Sequence, residues 1–359
     1  MRMASSRMPQ QDTGVTVGVD THGEIHVAAA FTSDLGRPLG HLEIPTPPAG
    51  YRRLLEWARG QGTELRFGIE GTGSYGAGLA RFLRDAGCTV IEVNRPNRQT
   101  RHARGKSDPV DAEAAARAVL SGEATGIAKA DQDHVGMIRA LRVARRSAVK
   151  TTTEIVNQMR ALIVAAPAEL REQLRQLSRD QLIATAAAMR PGSITSPTAA
   201  VKLALKGLAQ RHQLLTDELE ILDGELGRLT LEAAPKLYAL MGVGTDVAGA
   251  LLVAAGDNPE RLRSEAAFAH LCGVAPLPAS SGKTTGRHRL SRGGDRQANN
   301  ALWRIVITRL SWHQPTKDYM ARRTTEGLSK KEIICCLKRY VAREIYRVLA
   351  TADELATAA

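Results

Sequence analysis

The order of apolar runs in the first third of the chain most constrains its fold. Three short runs, at 14–20, 25–31 and 41–46, are separated by turn residues, a pattern typical of antiparallel strands joined in a meander. Beyond them, segments with helical and strand-like periodicity alternate. The sequence predicts a helix at 47–61, a strand at 65–70, a helix at 75–87, a strand at 89–94 and a helix at 108–120.

This order predicts a mixed sheet with helices packed on it. It is the order of a ribonuclease-H-like (RNase-H-like) domain, although other mixed sheets, such as the sugar-kinase and actin-like fold, begin in the same way. From about residue 131 to residue 234 the pattern is almost wholly helical, and further helices are predicted after it. The predicted fold class is therefore α/β plus all-α.

Four regions are predicted along the chain. They are a variable N-terminal extension at 1–12, the α/β domain at 13–125, a helical spacer at 130–234 and a mainly helical C-terminal domain at 235–359. The near-heptad spacing at 212–233 suits a coiled coil, either inside a bundle or at a dimer seam. A Gly-x-Gly turn within 236–257 suggests a helix-hairpin-helix that holds a DNA phosphate, or a tight helical turn without a ligand.

The charge balance favours a polyanionic partner. The chain has 49 Lys and Arg against 37 Asp and Glu, a net charge of +12, although a solvated basic surface would have the same composition. An apolar run long enough to span a bilayer is missing from the sequence, so we expect a soluble cytoplasmic protein without a membrane partner. The four cysteines have no zinc-binding spacing and are expected to be reduced structural thiols.

Four acids are expected to meet at one edge of the predicted sheet. Asp20 lies late in the first strand and Glu70 ends the fourth, and these strands are neighbours in the predicted order. Asp108 is the expected N-cap of the helix that follows, and Asp111 lies three residues on, on the same helical face. Each acid taken singly could be only a cap, turn or surface residue.

Converging carboxylates repel one another unless a cation lies between them. Oxygen ligands favour Mg²⁺ or Mn²⁺, and two such ions about 4 Å apart can activate a phosphodiester for displacement. The sequence therefore predicts a metal site formed by Asp20, Glu70, Asp108 and Asp111. His22 and His26 lie near Asp20 in the sequence but are expected to be surface residues.

Gly71, Gly73 and Gly76 also spell a dinucleotide-binding fingerprint, with Glu92 at the usual distance. A nicotinamide site is disfavoured because Glu70 would face the cofactor pyrophosphate with like charge. The fingerprint also normally follows the first strand of its sheet, whereas here a meander precedes it. We expect the glycines to let a metal-bound nucleic-acid backbone approach Glu70.

Two basic segments, at 95–108 and at 278–294, are predicted to bind nucleic acid. The second of them contains a Gly-Lys-Thr step but no P-loop, because the position of the required first glycine is Leu277. It does contain Ser280 and Ser281, and a serine hydroxyl among concentrated positive charges can attack phosphorus. The predicted nucleic-acid-binding residues are Arg98, Arg101, Arg104, Lys106, Lys283, Arg287, Arg289 and Arg292.

Taken together, these motifs resemble those of the DEDD transposases of bacterial insertion sequences, the IS110 (IS-one-ten) family. The resemblance covers nearly the whole chain and rests on an ordered set of motifs. They are "VGVDTH", "IEGTGSYG", "RGKSDPVDAEAAARA", "GVGTDVAGALL" and "GVAPLPASSGKTTGRHRLSRGGDRQANNALWR".

The resemblance implies a RuvC-like N-terminal domain that carries the acidic tetrad and a C-terminal transposase domain with a nucleophilic serine. The family's Ser-Gly step falls on Ser281, with Ser280 the less favoured choice. The resemblance also implies an element-encoded guide RNA that pairs with donor and target DNA. It further implies a homo-oligomer in which Ser281 of one subunit meets the tetrad of another.

The function expected from these features is Mg²⁺-dependent (or Mn²⁺-dependent), RNA-guided recombination that moves the protein's own insertion sequence through a phosphoserine intermediate. A RuvC-like endonuclease that uses only the tetrad and water is the first alternative. A non-catalytic nucleic-acid-binding protein is the second.

Overall fold

The computed structural model describes residues 14–93, 107–129, 134–256, 262–279, 288–291 and 293–356, with side chains as far as residue 350. The described residues form two compact units. The first contains the residues up to 129 together with 262 and 263, and the second contains the others. The domain boundaries at 12, 125, 130 and 234 remain predictions, because compact units need not coincide with domains.

The first unit is built on one five-stranded mixed sheet in the order β3-β2-β1-β4-β5. β1 pairs antiparallel with β2, and β2 with β3, as the predicted meander requires. β4 lies parallel to β1 and to β5, which confirms the predicted neighbours and the α/β class. The strands are β1 Val15–Thr21, β2 Ile25–Thr32, β3 Pro38–Pro45, β4 Leu65–Glu70 and β5 Thr89–Val93.

Helices cover both faces of this sheet, and the alternation along β1 decides which residues meet which helix. On one face, Val15, Val17 and Val19 are buried in the larger core, which also takes in α1 and α2. On the other face, the strand presents Thr16, Gly18 and Asp20 towards α3. The helices are α1 Pro48–Arg59, α2 Ala77–Asp85 and α3 Asp108–Leu120.

Two glycines let α3 lie directly on the main chain of the sheet. A Cβ atom at Gly18 would lie 2.1 Å from the carbonyl oxygen of Ala112 and 2.2 Å from the nitrogen of Ala116. At Gly68, which pairs with Gly18 across β1 and β4, a Cβ would lie 3.0 Å from the carbonyl oxygen of Ala115. No larger residue fits at Gly18 without moving the helix, so this contact sets the distance from α3 to the strands.

The second unit begins with two long helices that pack along each other, α4 and α7. Shorter helices, α5 and α6, close one apolar core between them, with Met159 and Leu205 fully buried. Leu226 is buried as well, whereas Leu214 and Ile221, seven residues apart on α7, are about 70% exposed. The helices are α4 His134–Val164, α5 Ala168–Leu174, α6 Arg179–Ala187 and α7 Pro197–Ala233.

The remainder of the second unit is helical apart from a short hairpin. The predicted Gly-x-Gly turn joins α8 to α9, and Gly244 is the N-cap of α9. Within the described part of the chain, no helix is both long and apolar enough to cross a membrane. The elements are α8 Pro235–Tyr238, α9 Thr245–Ala255, α10 Glu265–Leu271, β6 Pro276–Pro278, β7 His288–Leu290, α11 Arg296–Trp312, α12 Gln314–Thr325 and α13 Lys330–Ala356.

Candidate active site

Strand register brings the first two predicted acids to one edge of the sheet. Val19 pairs with Ile69, so the next residues, Asp20 and Glu70, lie side by side where the parallel strands end. Asp20 lies two residues after Gly18, and Glu70 lies two residues after Gly68. Because both glycines face α3, both acids lie on the sheet face that this helix covers. Asp20 is buried, and the hydroxyl of Thr21 ties the two strands together by donating to the main-chain oxygen of Glu70 at 2.8 Å.

The start of α3 supplies the other two acids. Ser107, not Asp108, is the N-cap, so that prediction was wrong by one residue, and Asp108 is the first helical residue. Pro109 lies in the first helical turn whether Ser107 or Asp108 is the N-cap, so the proline does not show which of the two residues caps the helix. Asp108 is exposed and Asp111 is buried, and the helix dipole favours negative charge in this turn.

His22 joins this cluster, which the sequence did not predict. Its Nε2 atom lies 3.1 Å from Oδ2 of Asp20 and 3.5 Å from Oδ1 of Asp108. One ligand atom from each of these three residues lies within 4.8 Å of the others, which is close enough for a shared cation. The only sequence signal was the position of His22, two residues after an acid at a strand end.

His26 is fully buried, so its expected surface position was wrong. Its Nδ1 accepts a hydrogen bond from the main-chain N–H of His22 at 3.3 Å, and its ring stacks on Tyr51 with 5.9 Å between centroids. Burial lowers the pKa of His26 and favours the neutral ring. His26 therefore supports the turn that carries His22.

The electrostatics of the cluster favour a bound cation. Burial is the main cause that raises the pKa of Asp20, and the charges of Asp111 and Asp108 raise it further, while His22 opposes the shift. A cation would remove this penalty on the ionised form. Carboxylate oxygens with one imidazole nitrogen suit a small divalent metal such as Mg²⁺ or Mn²⁺. Asp20, His22 and Asp108 therefore fit a divalent ion. Asp111 is near enough for its charge to act on Asp20 but is not in the three-residue group, and Glu70 is outside that group as well although its strand neighbours that of Asp20.

The glycine loop after β4 is a tight turn that requires glycine for its own geometry, and the expected approach of a nucleic-acid backbone stays a prediction. Gly71 has a φ of +71°, a conformation that favours glycine, and a Cβ at Gly76 would lie 3.0 Å from the main-chain oxygen of Glu70. Glu92, the acid of the dinucleotide fingerprint, accepts a hydrogen bond from the hydroxyl of Thr72 in this loop at 3.1 Å. The carboxylate of Glu92 thus helps to hold the loop.

Most of the predicted nucleic-acid-binding residues lie outside the described residues. Arg289 is described, and it is exposed on β7. For the remaining residues, the predicted roles stay predictions. The residues outside the described ranges are Arg98, Arg101, Arg104, Lys106, Ser280, Ser281, Lys283, Arg287 and Arg292.

The Gly-x-Gly turn of the second unit carries an internal ion cluster. Asp246, in the first turn of α9, lies with Oδ1 2.6 Å from Nη1 of Arg142, which is almost fully buried. Arg304 also contacts Asp246, and Arg145 bridges it to Asp223. Burial opposes ionisation of Asp246, but Arg142, Arg304 and Arg145 outweigh it and hold its pKa below the ordinary value. The carboxylate of Asp246, in the first turn of α9, is therefore already paired with arginines of the protein itself.

Two segments of the sequence match families of known proteins. Residues 17–166 match the DEDD transposases of IS110, and residues 234–321 match the transposases of the IS116/IS110/IS902 family. Together these matches cover more than half of the chain and agree in family. The chain belongs to the IS110 family of transposases. This membership confirms the resemblance drawn from the motifs.

A curated relative supports the same family. It is the "Insertion element IS110 uncharacterized 43.6 kDa protein" of Streptomyces coelicolor, 25% identical over 155 residues. The match covers 42% of this chain and 38% of the relative, so the chain spans well under half of the relative's length.

The two matched segments also contain the candidate residues. All four acids of the predicted tetrad lie within 17–166, and Ser281 lies within 234–321. Membership in the family does not assign a role to any of these residues. Their roles belong to the proposal that follows.

Proposed function

We propose that this protein is a transposase that cuts and rejoins DNA to move its own insertion sequence. The observation that carries the proposal is the meeting of Asp20 and Asp108, from elements almost ninety residues apart, at one sheet edge in a chain of the IS110 family. Membership in a transposase family supports DNA as the partner in this proposal. The excess of basic residues supports that assignment.

We assign the metal site to Asp20, Glu70, Asp108 and Asp111, with His22 at its edge. A divalent metal ion, when bound, would supply positive charge to a scissile phosphodiester. The protein's own contribution is placement. β1 and β4 hold Asp20 and Glu70 in register, and α3 brings Asp108 and Asp111 to the same edge.

Ser281 is proposed as the nucleophile. Its hydroxyl oxygen would form a bond to phosphorus and lose its proton, while one ester oxygen of the DNA leaves and takes up a proton. The resulting phosphoserine keeps the energy of the phosphodiester, so a second DNA end can be joined by the reverse step. The guide RNA and an oligomer that unites Ser281 with the tetrad of another subunit belong to the same proposal.

The test is a denaturing gel of the full-length protein with end-labelled donor and target DNA in Mg²⁺ or Mn²⁺, with and without the element-derived RNA. We expect a protein-linked DNA band in the wild type that is lost in Ser281→Ala and in Asp108→Asn. Asp85→Asn, at an exposed acid of α2, and Ser280→Ala are the matched controls and should keep the band.

The alternatives predict different gels. Free cut ends that survive Ser281→Ala but not Asp108→Asn would show a nuclease that uses the tetrad and water, and would refute the serine step. Salt-sensitive DNA binding without any cleavage, unchanged by Asp108→Asn and by removal of metal, would refute catalysis altogether.

A further inference from the structure

A cavity of about 540 Å³ opens in the second unit among β7, α11 and α13. Its polar lining comes from Arg289, Ser291, Arg296, Asn299 and Lys338. No carboxylate is present among its described lining residues. The cavity is therefore positive and rich in hydrogen-bond donors, a combination that suits an anion.

Lys338 is the buried member of this set, with only 9% of its surface exposed. Its ammonium donates to Oδ1 of Asn299 at 2.9 Å. The amide of Asn299 is in turn fixed, because its Nδ2 donates to the carbonyl oxygens of Cys272 and Gly273 at 3.0 and 2.9 Å. Within the described ranges Lys338 makes no ion pair, so a neutral amide is the partner of a buried cation that usually has an acid beside it.

One acid of this region, Asp295, is bonded elsewhere. Asp295 caps α11 by accepting from the main-chain N–H groups of Gln297 and Ala298 at 2.7 and 3.0 Å. Burial is the main cause that lowers the pKa of Lys338, as expected for an ammonium that no carboxylate compensates. An anion in the cavity would supply that compensation.

Arg289 and Arg296 complete the site at its exposed side. Across the part of the chain that the structure describes, neither guanidinium takes part in an ion pair. A guanidinium can bind two oxygens of one phosphate, whereas a lysine ammonium acts as a point charge. One buried lysine and two exposed arginines therefore match a phosphodiester, which has two non-bridging oxygens and one negative charge.

The cavity also adjoins the ends of the segment that carries Ser281. Pro278 of β6 pairs with His288 of β7, so the described residues on either side of 280–287 lie next to each other in this hairpin. Arg289, which lines the cavity, follows His288 directly. We propose that the cavity binds a backbone phosphate of the DNA on which Ser281 acts, with Lys338 as its inner contact. The reference to Ser281 rests on the proposed function, but phosphate binding itself does not.

The experiment measures binding of the full-length protein to a fluorescently labelled DNA duplex in EDTA over a series of salt concentrations. Loss of one phosphate contact lowers the slope of log affinity against log salt by about 0.9. We expect that loss for Lys338→Met, together with weaker binding at the lowest salt, and a wild-type slope for Lys338→Arg. Lys331→Met, at an exposed lysine two turns earlier on α13 that does not line the cavity, is the matched control and should keep the wild-type slope.

A slope for Lys338→Met equal to that of the wild type, or an equal loss for Lys331→Met, would overturn the proposal. A loss seen with an RNA duplex of the same sequence but not with DNA would overturn the assignment to DNA. If Lys338→Met does not fold, Arg289→Gln and Arg296→Gln carry the test, because both side chains are exposed, and each should lower the slope by about 0.9. EDTA removes the metal and prevents cleavage, so this binding result does not depend on the serine step. The serine step is tested separately by the protein-linked band in Mg²⁺ or Mn²⁺, and its failure there would leave the phosphate-binding result unchanged.

Discussion

The contact between Gly18 and α3 leads to a sharp prediction for Gly18→Ala. The new Cβ would lie 2.1 Å from the carbonyl oxygen of Ala112, whereas ordinary contacts begin near 3.4 Å. The helix must therefore move away from β1 by roughly 1.3 Å, or the strand must bend by a similar amount. Since both neighbouring atoms belong to the main chain of α3, no side-chain rotation can relieve the overlap.

This displacement should affect both stability and cleavage. Overpacking of this kind costs about 1–3 kcal/mol, which urea denaturation would detect. Because α3 carries Asp108 and Asp111, the shift also separates them from Asp20, and a misplacement of about 1 Å can cost on the order of 100-fold in rate. The rate of formation of the protein-linked band, at saturating DNA and metal, measures that loss.

A control separates this effect from the general cost of replacing a glycine. Gly126→Ala lies in the same unit, where a new Cβ would meet nothing within 4 Å, and should behave as the wild type in both assays. If Gly18→Ala matched Gly126→Ala in unfolding free energy and in rate, α3 would not determine the geometry of the acidic site.

Further predictions concern three other places in the fold. Asp246→Asn leaves the buried Arg142 without its close partner and should destabilise the second unit by about 3 kcal/mol in urea, whereas Arg142→Met in the same chain should restore most of that loss. The folded-state pKa of Asp246 is depressed, so its stabilising contribution is present above the unfolded-state pKa of about 4 and is lost as pH falls through the folded value. The wild type should thus lose stability in acid more steeply than Asp246→Asn in pH-dependent urea melts. His22→Ala should weaken Mn²⁺ binding about 10- to 100-fold, measured by water-proton relaxation, and an unchanged affinity would exclude His22 from the site. Burial raises the pKa of Cys272 to about 12, so iodoacetamide should spare this thiol in the native protein, as peptide mass mapping would show.

The strand order could be predicted because simple periodicities determine it. Alternation along β1 placed Asp20 on the correct face, and the order of elements made β4 the neighbour of β1, so the position of Asp20 and Glu70 at the ends of neighbouring strands followed from the sequence. The N-cap of α3 was misplaced by one residue because Ser107 and Asp108 are both good caps before a proline.

The histidines were harder to place, for two different reasons. His22 lies just beyond the end of β1, where the turn decides its direction and alternation no longer applies. His26 lies on β2, which is buried on both faces, so alternation of polar and apolar residues gave no signal for its burial. The role of Gly18 was also hidden, because a single sequence does not distinguish a glycine needed for close packing from one needed for a turn.

The way α3 rests on the sheet has a consequence for dynamics. A helix supported by long side chains shifts when their rotamers exchange, but at Gly18 and Gly68 the glycine has no side chain that could exchange. We therefore expect the main chain at the start of α3 to keep its distance from β1 while the surrounding core fluctuates. The entropy cost of positioning the first turn of α3 arises when the chain folds. Binding of metal or DNA therefore does not have to position this turn again.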